Sequence, residues 1–511
     1  MDAKMKRQLK EEIGQFRETA DQFMRKEITM KDFKGYSGGF GSYAQRGGER
    51  LMLRLRMDQG VMTKEKLAFV CESCRKYDVD LAHITTCQTI QLHHLSVEAV
   101  CDIMERALDV GIVTRGGGGD HPRNVMCSPL SGVEPGEYFD VRPYAKAAGD
   151  YLLSVMNKRK LPRKLKVAFS SSPVNATHAT FRDLGFVAVR EGTFDVYCCG
   201  GLGNNPKLGV RVASHVRPEK VLYYVEAMIR LFITYGDYTN RARARTRYLQ
   251  DTLGERLKSE FDLKLVEAMQ LDLDIDVHPE PVRKQGKSAA FDDPRVIAQK
   301  QEGLYAVSYH PIGGEISPAA LYRSEEAIRD IEACEVRIAP DETMYIINLN
   351  ADEVPAVLAA TADGAQTQFE HSVSCIGASI CQVGLRDSNG VLHQLVHALR
   401  PYGFRDGVLP RIHISGCTSS CGTHQSAAIG LQGTVKLVDK KPQPAYVLTV
   451  NGNDLQGEEA FGKVVGTILE SDLVTFFTRL GRMISEADDL FASWITAHEA
   501  DLIALAMEYT R

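Results

Sequence analysis

No run of 18 apolar residues occurs in the 511-residue chain, so no segment has the make-up of a membrane-spanning helix. Positive charge is in short supply too. Lys and Arg number 61 against 66 Asp and Glu, a net charge of −5, and no basic field points to nucleic acid. The N-terminal stretch MDAKMKRQLKEEIGQFRETADQFMRKE lacks the apolar core of a secretory signal and reads as a charged helix. These absences predict a cytoplasmic protein with no membrane and no nucleic-acid partner. No strand–GxGxxG–helix unit with a downstream acidic residue is present. GGLGNNPKLG (200–209) lacks that context, so the glycines read as loop or packing residues. The rest of the composition is ordinary for a globular chain, 44% hydrophobic and 25% charged, with length for about three domains.

Twelve cysteines in a chain with no secretory signal point to metal or redox use more than to disulfides. Four form two tight pairs, Cys375 and Cys381 in SVSCIGASICQVG and Cys417 and Cys421 in HISGCTSSCGTHQ. Four thiolates suit the soft, sulfide-bridged iron of an Fe–S cluster. Gly377, Gly416 and Gly422 flank them and let backbone wrap closely round a bulky core. Zinc is an alternative, but its paired cysteines usually stand two to four apart on small knuckles. Ordinary buried cysteines are the other. Cys71-x2-Cys74 lies in the helix-like KEKLAFVCESCRKY, where buried small residues are favoured over a redox pair.

The chain also repeats itself. Thr63 to Val100 aligns without gaps with Ser317 to Val354, pairing Leu67 with Leu321, Ile84 with Ile338, Thr89 with Thr343 and Leu95 with Leu349. A second ungapped match pairs Cys127 with Cys375 and Leu161-Pro162-Arg163 with Leu409-Pro410-Arg411. The predicted architecture is α+β, a pseudo-twofold duplicated α/β unit. The expected segments are an N-terminal helical part (1–50), a first half (51–115), a first α/β domain (116–280), a second half (300–365) and a second α/β domain with closing amphipathic helices (366–511). The polar, proline-bearing 276–294 suits a linker. The copies differ in chemistry. The second holds thiolates, whereas Lys164 and Lys166 stand in the first where the ungapped match approaches Cys417. Spaced i and i+2 on a strand, two lysines share a face, and an anion between them would relieve their repulsion.

Several ordered motifs, from about 36 to 450, resemble the sirohaem- and [4Fe–4S]-containing sulfite and nitrite reductases. GSYAQRGGERLMLRLR (41–56) resembles the family's entry segment. TTCQTIQ (85–91) resembles its Thr-Thr-Arg-Gln element, HPRNVMCSP (121–129) its Arg-Asn element and LPRKLKV (161–167) its Leu-Pro-Arg-Lys element. DLGFVAV, GGLGNNPKLG and GDYTNRARARTRYL follow in family order, and the two cysteine pairs close the set. The resemblance implies two ferredoxin-like half-domains forming one domain, with two cofactor-binding domains. It implies that Cys375, Cys381, Cys417 and Cys421 ligate a [4Fe–4S] cluster, Cys421 also bridging to the sirohaem iron. Arg54, Arg123, Lys164 and Lys166 match the positions around the substrate anion. The arginines suit anion clamps and the lysines local proton donors. Sirohaem's carboxylates call for cations and amides, with Arg56, Gln88, Gln91, Asn124, Arg241, Arg245 and Arg247 as candidates. Were 241–247 a helix, about two of its four arginines (Arg243 included) would reach the cofactor.

Two departures stand out. Cys87 occupies the family's arginine position in the Thr-Thr-Arg-Gln element, with His93 or a shifted arginine as possible replacement. Cys417-Thr418-Ser419-Ser420-Cys421 replaces the usual Cys-Pro-Asn-x-Cys. Lys164-x-Lys166 resembles the sulfite-reducing branch, since a second cation suits a dianion. The expected reaction is therefore six-electron reduction of sulfite to sulfide, with nitrite to ammonia as the alternative. Electrons would come from ferredoxin or a separate flavoprotein or iron–sulfur donor. A non-catalytic iron–sulfur electron carrier or sensor, and a zinc structural protein, are readings of other classes.

Overall fold

Strands form where apolar residues recur at the period of a sheet, as in Leu51–Arg56 (LMLRLR) and Thr89–Leu95 (TIQLHHL). In the computed structural model, which describes residues 3–510, these two pair antiparallel, flanked by Ser42–Ala44 on one side and Ala82–Thr85 on the other. The helices Lys64–Lys76 and Val97–Ala107 follow strands of this first half. The second half repeats the plan with Tyr305–Tyr309, Met344–Leu349 and Glu335–Ile338. Val61–Met62, from the first half, adds the last strand to the second half's sheet by pairing with Val336 and Arg337. The two halves share one apolar core that includes Leu53, Val70, Ile103, Leu321 and Ile338. They are two ferredoxin-like half-domains of a duplicated unit.

The duplication extends to backbone detail. Thr63 and Ser317 cap corresponding helices, accepting from the amides of Lys66 and Ala320. Gln88 (φ 54°) and Glu342 (φ 72°) both take the left-handed conformation, as do His94 (φ 55°) and Asn348 (φ 61°). Side chains rarely adopt that region, so its recurrence at matching positions marks common turns.

Two further sheets follow a second shared plan. In one, Met126–Cys127, Val167–Ser170 and Leu184–Val189 run parallel before Thr193–Cys198 and Val210–Val216 turn antiparallel. In the other, Val373–Ser374, Ile412–Ser415 and Ile429–Val438 run parallel before Lys441–Val450 and Lys463–Leu469. Contacts divide the chain into two compact units. One comprises Met1–Gly201, Lys207–Tyr309 and Ile316–Ala362, and the other Leu202–Pro206, His310–Glu315 and Asp363–Arg511.

The strand ladders correct the ungapped match. Val167 pairs with Leu184 as Ile412 pairs with Ile429, so Val167 corresponds to Ile412. Both strands follow Leu-Pro-Arg, but only the first copy carries Lys164-Leu165-Lys166 in between. The lysines are an insertion at the amino end of the strand, not counterparts of Cys417 beyond its carboxyl end. Cys127 likewise lies inside its strand, whereas Cys375 follows Val373–Ser374. The segment expected as closing helices begins instead with the strand Lys463–Leu469, and then forms Leu473–Glu486 and Phe491–Thr510. Residues 276–293 form no helix or strand, and Lys284 ties them to Glu353.

Candidate anion pocket and thiol loops

In the second unit, the four cysteines sit on two loops that leave adjacent parallel strands at their carboxyl ends, where such loops commonly hold ligands. Cys375 and Cys381 follow Val373–Ser374; Cys417 and Cys421 follow Ile412–Ser415. The Cys375 sulfur takes a hydrogen bond from the Gly416 amide at 3.2 Å and lies 3.1 Å from Ser388 Oγ. Burial, then the neighbouring Cys421, pushes the Cys375 thiol up to about 12. Such a thiol ionises only when a soft metal displaces its proton. Gly377 has φ 77°, and a Cβ there would stand 2.2 Å from Asp387 Oδ1, so close backbone approach shapes the first loop. None of the four is in a disulfide. Among the described residues no three His, Cys, Asp or Glu side chains are gathered at metal-binding distances. The structure thus brings the thiols to neighbouring loops without closing them round a point. Four soft donors, free of disulfides and with Cys375 braced by a backbone amide, fit an iron–sulfur cluster. Cys71 and Cys74, by contrast, lie buried in a helix, pushed up to about 12 by burial, and serve as core residues.

The predicted anion-binding cations all lie in the first unit. Arg54, at the middle of Leu51–Arg56, pairs in register with Gln91, which pairs with His83. Arg56 leads to Thr89 and Thr85 in the same way. This sheet face is polar, yet Arg56, His83, Thr85, Thr89, Gln91 and His93 are all buried. Arg54 donates to the Gly117 carbonyl (2.6 Å), while Arg123 donates to those of Gly116 (3.3 Å) and Gly119 (2.8 Å). The tetraglycine run 116–119 orients both guanidiniums. Its tightness needs glycine, because a Cβ on Gly118 would lie 2.3 Å from Tyr43 Oη and 2.4 Å from the Gly38 carbonyl oxygen. Burial lowers Arg123 to about 10, with Arg54 adding repulsion. Leu165 is buried and bridges Pro122, which leaves Lys164 and Lys166 to flank it on the other side of the extended segment.

Lys166 Nζ lies 3.2 Å from Cys87 Sγ, and its amide donates to Asp183 Oδ2 at 2.7 Å. Asp183 is wholly buried and also binds Arg245 Nη2 at 3.0 Å and the Thr246 hydroxyl. Arg182, buried and held by the Thr177 carbonyl (2.8 Å), adds a cation near Cys87. It answers the loss of arginine at position 87 better than His93, whose Nδ1 lies 3.3 Å from the Gln45 amide nitrogen.

The cofactor candidates divide by what their polar atoms already do. Gln88 stitches backbone to backbone, donating to the carbonyls of Cys127 (2.8 Å) and Ile338 (2.7 Å) and accepting from the Cys127 amide (2.9 Å). Asn124 Nδ2 serves the carbonyls of Met57, Cys87 and Gln88, while its Oδ1 is buried without a partner. Arg56 holds the carbonyls of Arg115 and Arg123. Residues 241–248 form two short 3-10 turns, not a helix. Arg241 is exposed on Asp120, whereas Arg245 and Arg247 turn inward. The Nε atoms of Arg54, Arg245 and Arg247 and the Nε2 of His93 are buried without partners. Buried polar atoms are ordinarily satisfied, so this orphaned set fits a bulky polyanionic macrocycle. Arg182 and the tetraglycine run were not singled out from the sequence, and Asp183 entered only as the first residue of the motif DLGFVAV, with no role given to it. Arg182 adjoins that motif, and a glycine run before HPRN was the signal available.

Comparisons with known proteins identify the family. The nitrite and sulphite reductase 4Fe-4S domain model matches residues 118–268. The nitrite/sulfite reductase ferredoxin-like half domain matches 43–110 and 297–363. The four cysteines fall outside these stretches. An assimilatory ferredoxin-dependent nitrite reductase of Haloferax mediterranei is 25% identical, over 91% of this chain and 85% of its own. A sulfite reductase [ferredoxin] of Mycolicibacterium paratuberculosis is 26% identical, over 88% and 83%. The solved structure of the Mycobacterium tuberculosis NirA protein superposes with a TM-score of 0.80 at 25% identity, covering 94% of this chain and 93% of that one. With both half-domain copies and the first α/β domain matched in order, the chain belongs to the nitrite and sulphite reductase family.

Proposed function

We propose that this oxidoreductase reduces a small oxyanion by six electrons, sulfite to sulfide, with nitrite to ammonia as the alternative at the same centre. The observation that carries the reading is the convergence of Arg54, Arg123, Lys166 and Arg182 on one half-buried region, where, among the described residues, the two clamp arginines meet backbone carbonyls and not carboxylates. Cations kept so are available to an anion. Arg54 and Arg123 would bind and polarise its oxygens, and Lys164 and Lys166 would hold protons for them. Sirohaem and a [4Fe–4S] cluster, the family's cofactors, supply electrons singly when bound. Cys375, Cys381, Cys417 and Cys421 would hold the cluster. Arg245, Arg247, Gln91 and Asn124 would meet the sirohaem carboxylates, and Arg241 would stand at the rim. Arg56 and Gln88 would act through the backbone they hold. The donor would be ferredoxin, which the relatives' names carry, or a separate flavoprotein or iron–sulfur protein.

An anaerobic absorption spectrum of holoprotein, before and after dithionite and then sulfite or nitrite, tests this. Sirohaem bands that shift with the anion are expected. A cluster spectrum alone, from a host that makes sirohaem, would overturn the reading in favour of an electron carrier.

A further inference from the structure

Cys87 lies in the turn between Ala82–Thr85 and Thr89–Leu95, its amide on Thr85 Oγ1 (3.3 Å) and its carbonyl on Asn124 (3.2 Å). Met126, Ala168, Ala179 and Val187 pack against it. The charged groups that act on it are cations. Lys166 Nζ is 3.2 Å away, with Arg182 and Arg54 further out. Arg123 feels it in turn, and Arg245, which faces Lys166, is already bound to Asp183. Burial by itself would raise the thiol, but Lys166, Arg182 and Arg54 outweigh it and bring it down to about 6. The surrounding cations thus favour the ionised form of a sulfur that lies 3.2 Å from Lys166 Nζ.

We propose that Cys87 is a positioning residue that selects the charge of the oxyanion: paired with Lys166, it removes one of the two lysine charges from the incoming anion and favours a monoanion over a dianion. This rests on the reductase reading of the same pocket. The argument for sulfite from Lys164-x-Lys166 counts both lysines as uncompensated. The contact with Cys87 leaves Lys166 neutralised as a pair, though still able to hold a proton. Both anions keep Arg54 and Arg123, but the lost positive charge costs a dianion about twice the attraction that it costs a monoanion. The same thiolate repels a second negative charge more than a first.

Optical titration of the bound sirohaem at pH 8 gives dissociation constants for sulfite and nitrite in wild-type holoprotein, Cys87→Ser and Cys87→Asp. Serine removes the charge and aspartate restores it. The sulfite-to-nitrite ratio of dissociation constants is expected to fall about tenfold in Cys87→Ser, roughly 1.4 kcal/mol, and to return to the wild-type value in Cys87→Asp. A ratio unmoved in Cys87→Ser, or an equal fall in both variants, would overturn charge selection while leaving the reductase reading intact. Absence of any anion-dependent band shift in wild-type holoprotein would overturn that reading and this one together.

Discussion

Replacing Asp183 with asparagine should damage this protein more than any surface substitution, and the size of the effect follows from its surroundings. The carboxylate is wholly buried and carries the Lys166 amide, Arg245 and the Thr246 hydroxyl. Arg245 is itself only 14% exposed and, among the described residues, pairs with no other carboxylate. Asparagine keeps the shape and one acceptor, but turns an NH2 group toward a donor and leaves the guanidinium uncompensated. Breaking a buried pair from one side costs about 3–5 kcal/mol. At roughly 2–4 °C per kcal/mol, the figure for a domain of about 150–250 residues, the apparent melting temperature at a fixed scan rate should fall by about 6–20 °C. Arg245→Met alone strands the carboxylate, whereas the double variant Asp183→Asn/Arg245→Met removes both charges. The cycle should therefore show the double variant to be at least 2 kcal/mol better than the sum of the singles, on the order expected of coupled charges. Additive losses, or a single loss below about 1 kcal/mol, would show that the buried pair does not hold this region.

Cys375→Ser should lower iron and acid-labile sulfide to background in purified protein, while Cys74→Ser leaves both unchanged; equal loss in the two would refute the ligand assignment. Arg123→Gln should raise the KM for the anion by about tenfold to a hundredfold, as expected of a lost charged hydrogen bond, and steady-state kinetics with a reduced viologen dye read it directly. Gly118→Ala should lower thermal stability or soluble yield, because its Cβ has no room beside Tyr43 and Gly38. Burial drops His93 to about 3 and His121 to about 4. A depressed histidine binds its proton only on unfolding. Stability should therefore fall as pH drops below about 6.5, by up to roughly 1.4 kcal/mol per pH unit for each imidazole until its folded value is reached. Denaturation midpoints from pH 7 to 4 should show this slope, and His93→Gln should flatten it.

The duplication was legible because Leu67, Ile84, Thr89 and Leu95 recur in order as Leu321, Ile338, Thr343 and Leu349, and the ferredoxin-like plan followed from the family resemblance. The thiol pairs were legible because four soft ligands need few other signals. What misled was register. An ungapped match cannot see that Lys164-Leu165-Lys166 is extra, since only strand pairing shows which residues stand opposite each other. The division of labour among arginines was hidden as well. Arg241 and Arg247 read alike in GDYTNRARARTRYL, and only the two 3-10 turns send one outward and the other in. Cys87 was visible as a departure from the family pattern, but its proximity to Lys166 depends on a contact between distant segments.

The three extra residues in the first copy bear on how such a chain can change. They sit between a Leu-Pro-Arg common to both copies and a strand whose rungs are the same in both, so a change of length there is absorbed without moving a hydrogen-bonded pair. The stretch behaves as a cassette on a fixed frame. Its residues can be recoded while the ladder beneath stays in place. The thiol loops leave their strands directly, so a change of length there would move the sulfurs themselves. Variation of length is thus absorbed on one copy and passed straight to the side chains on the other.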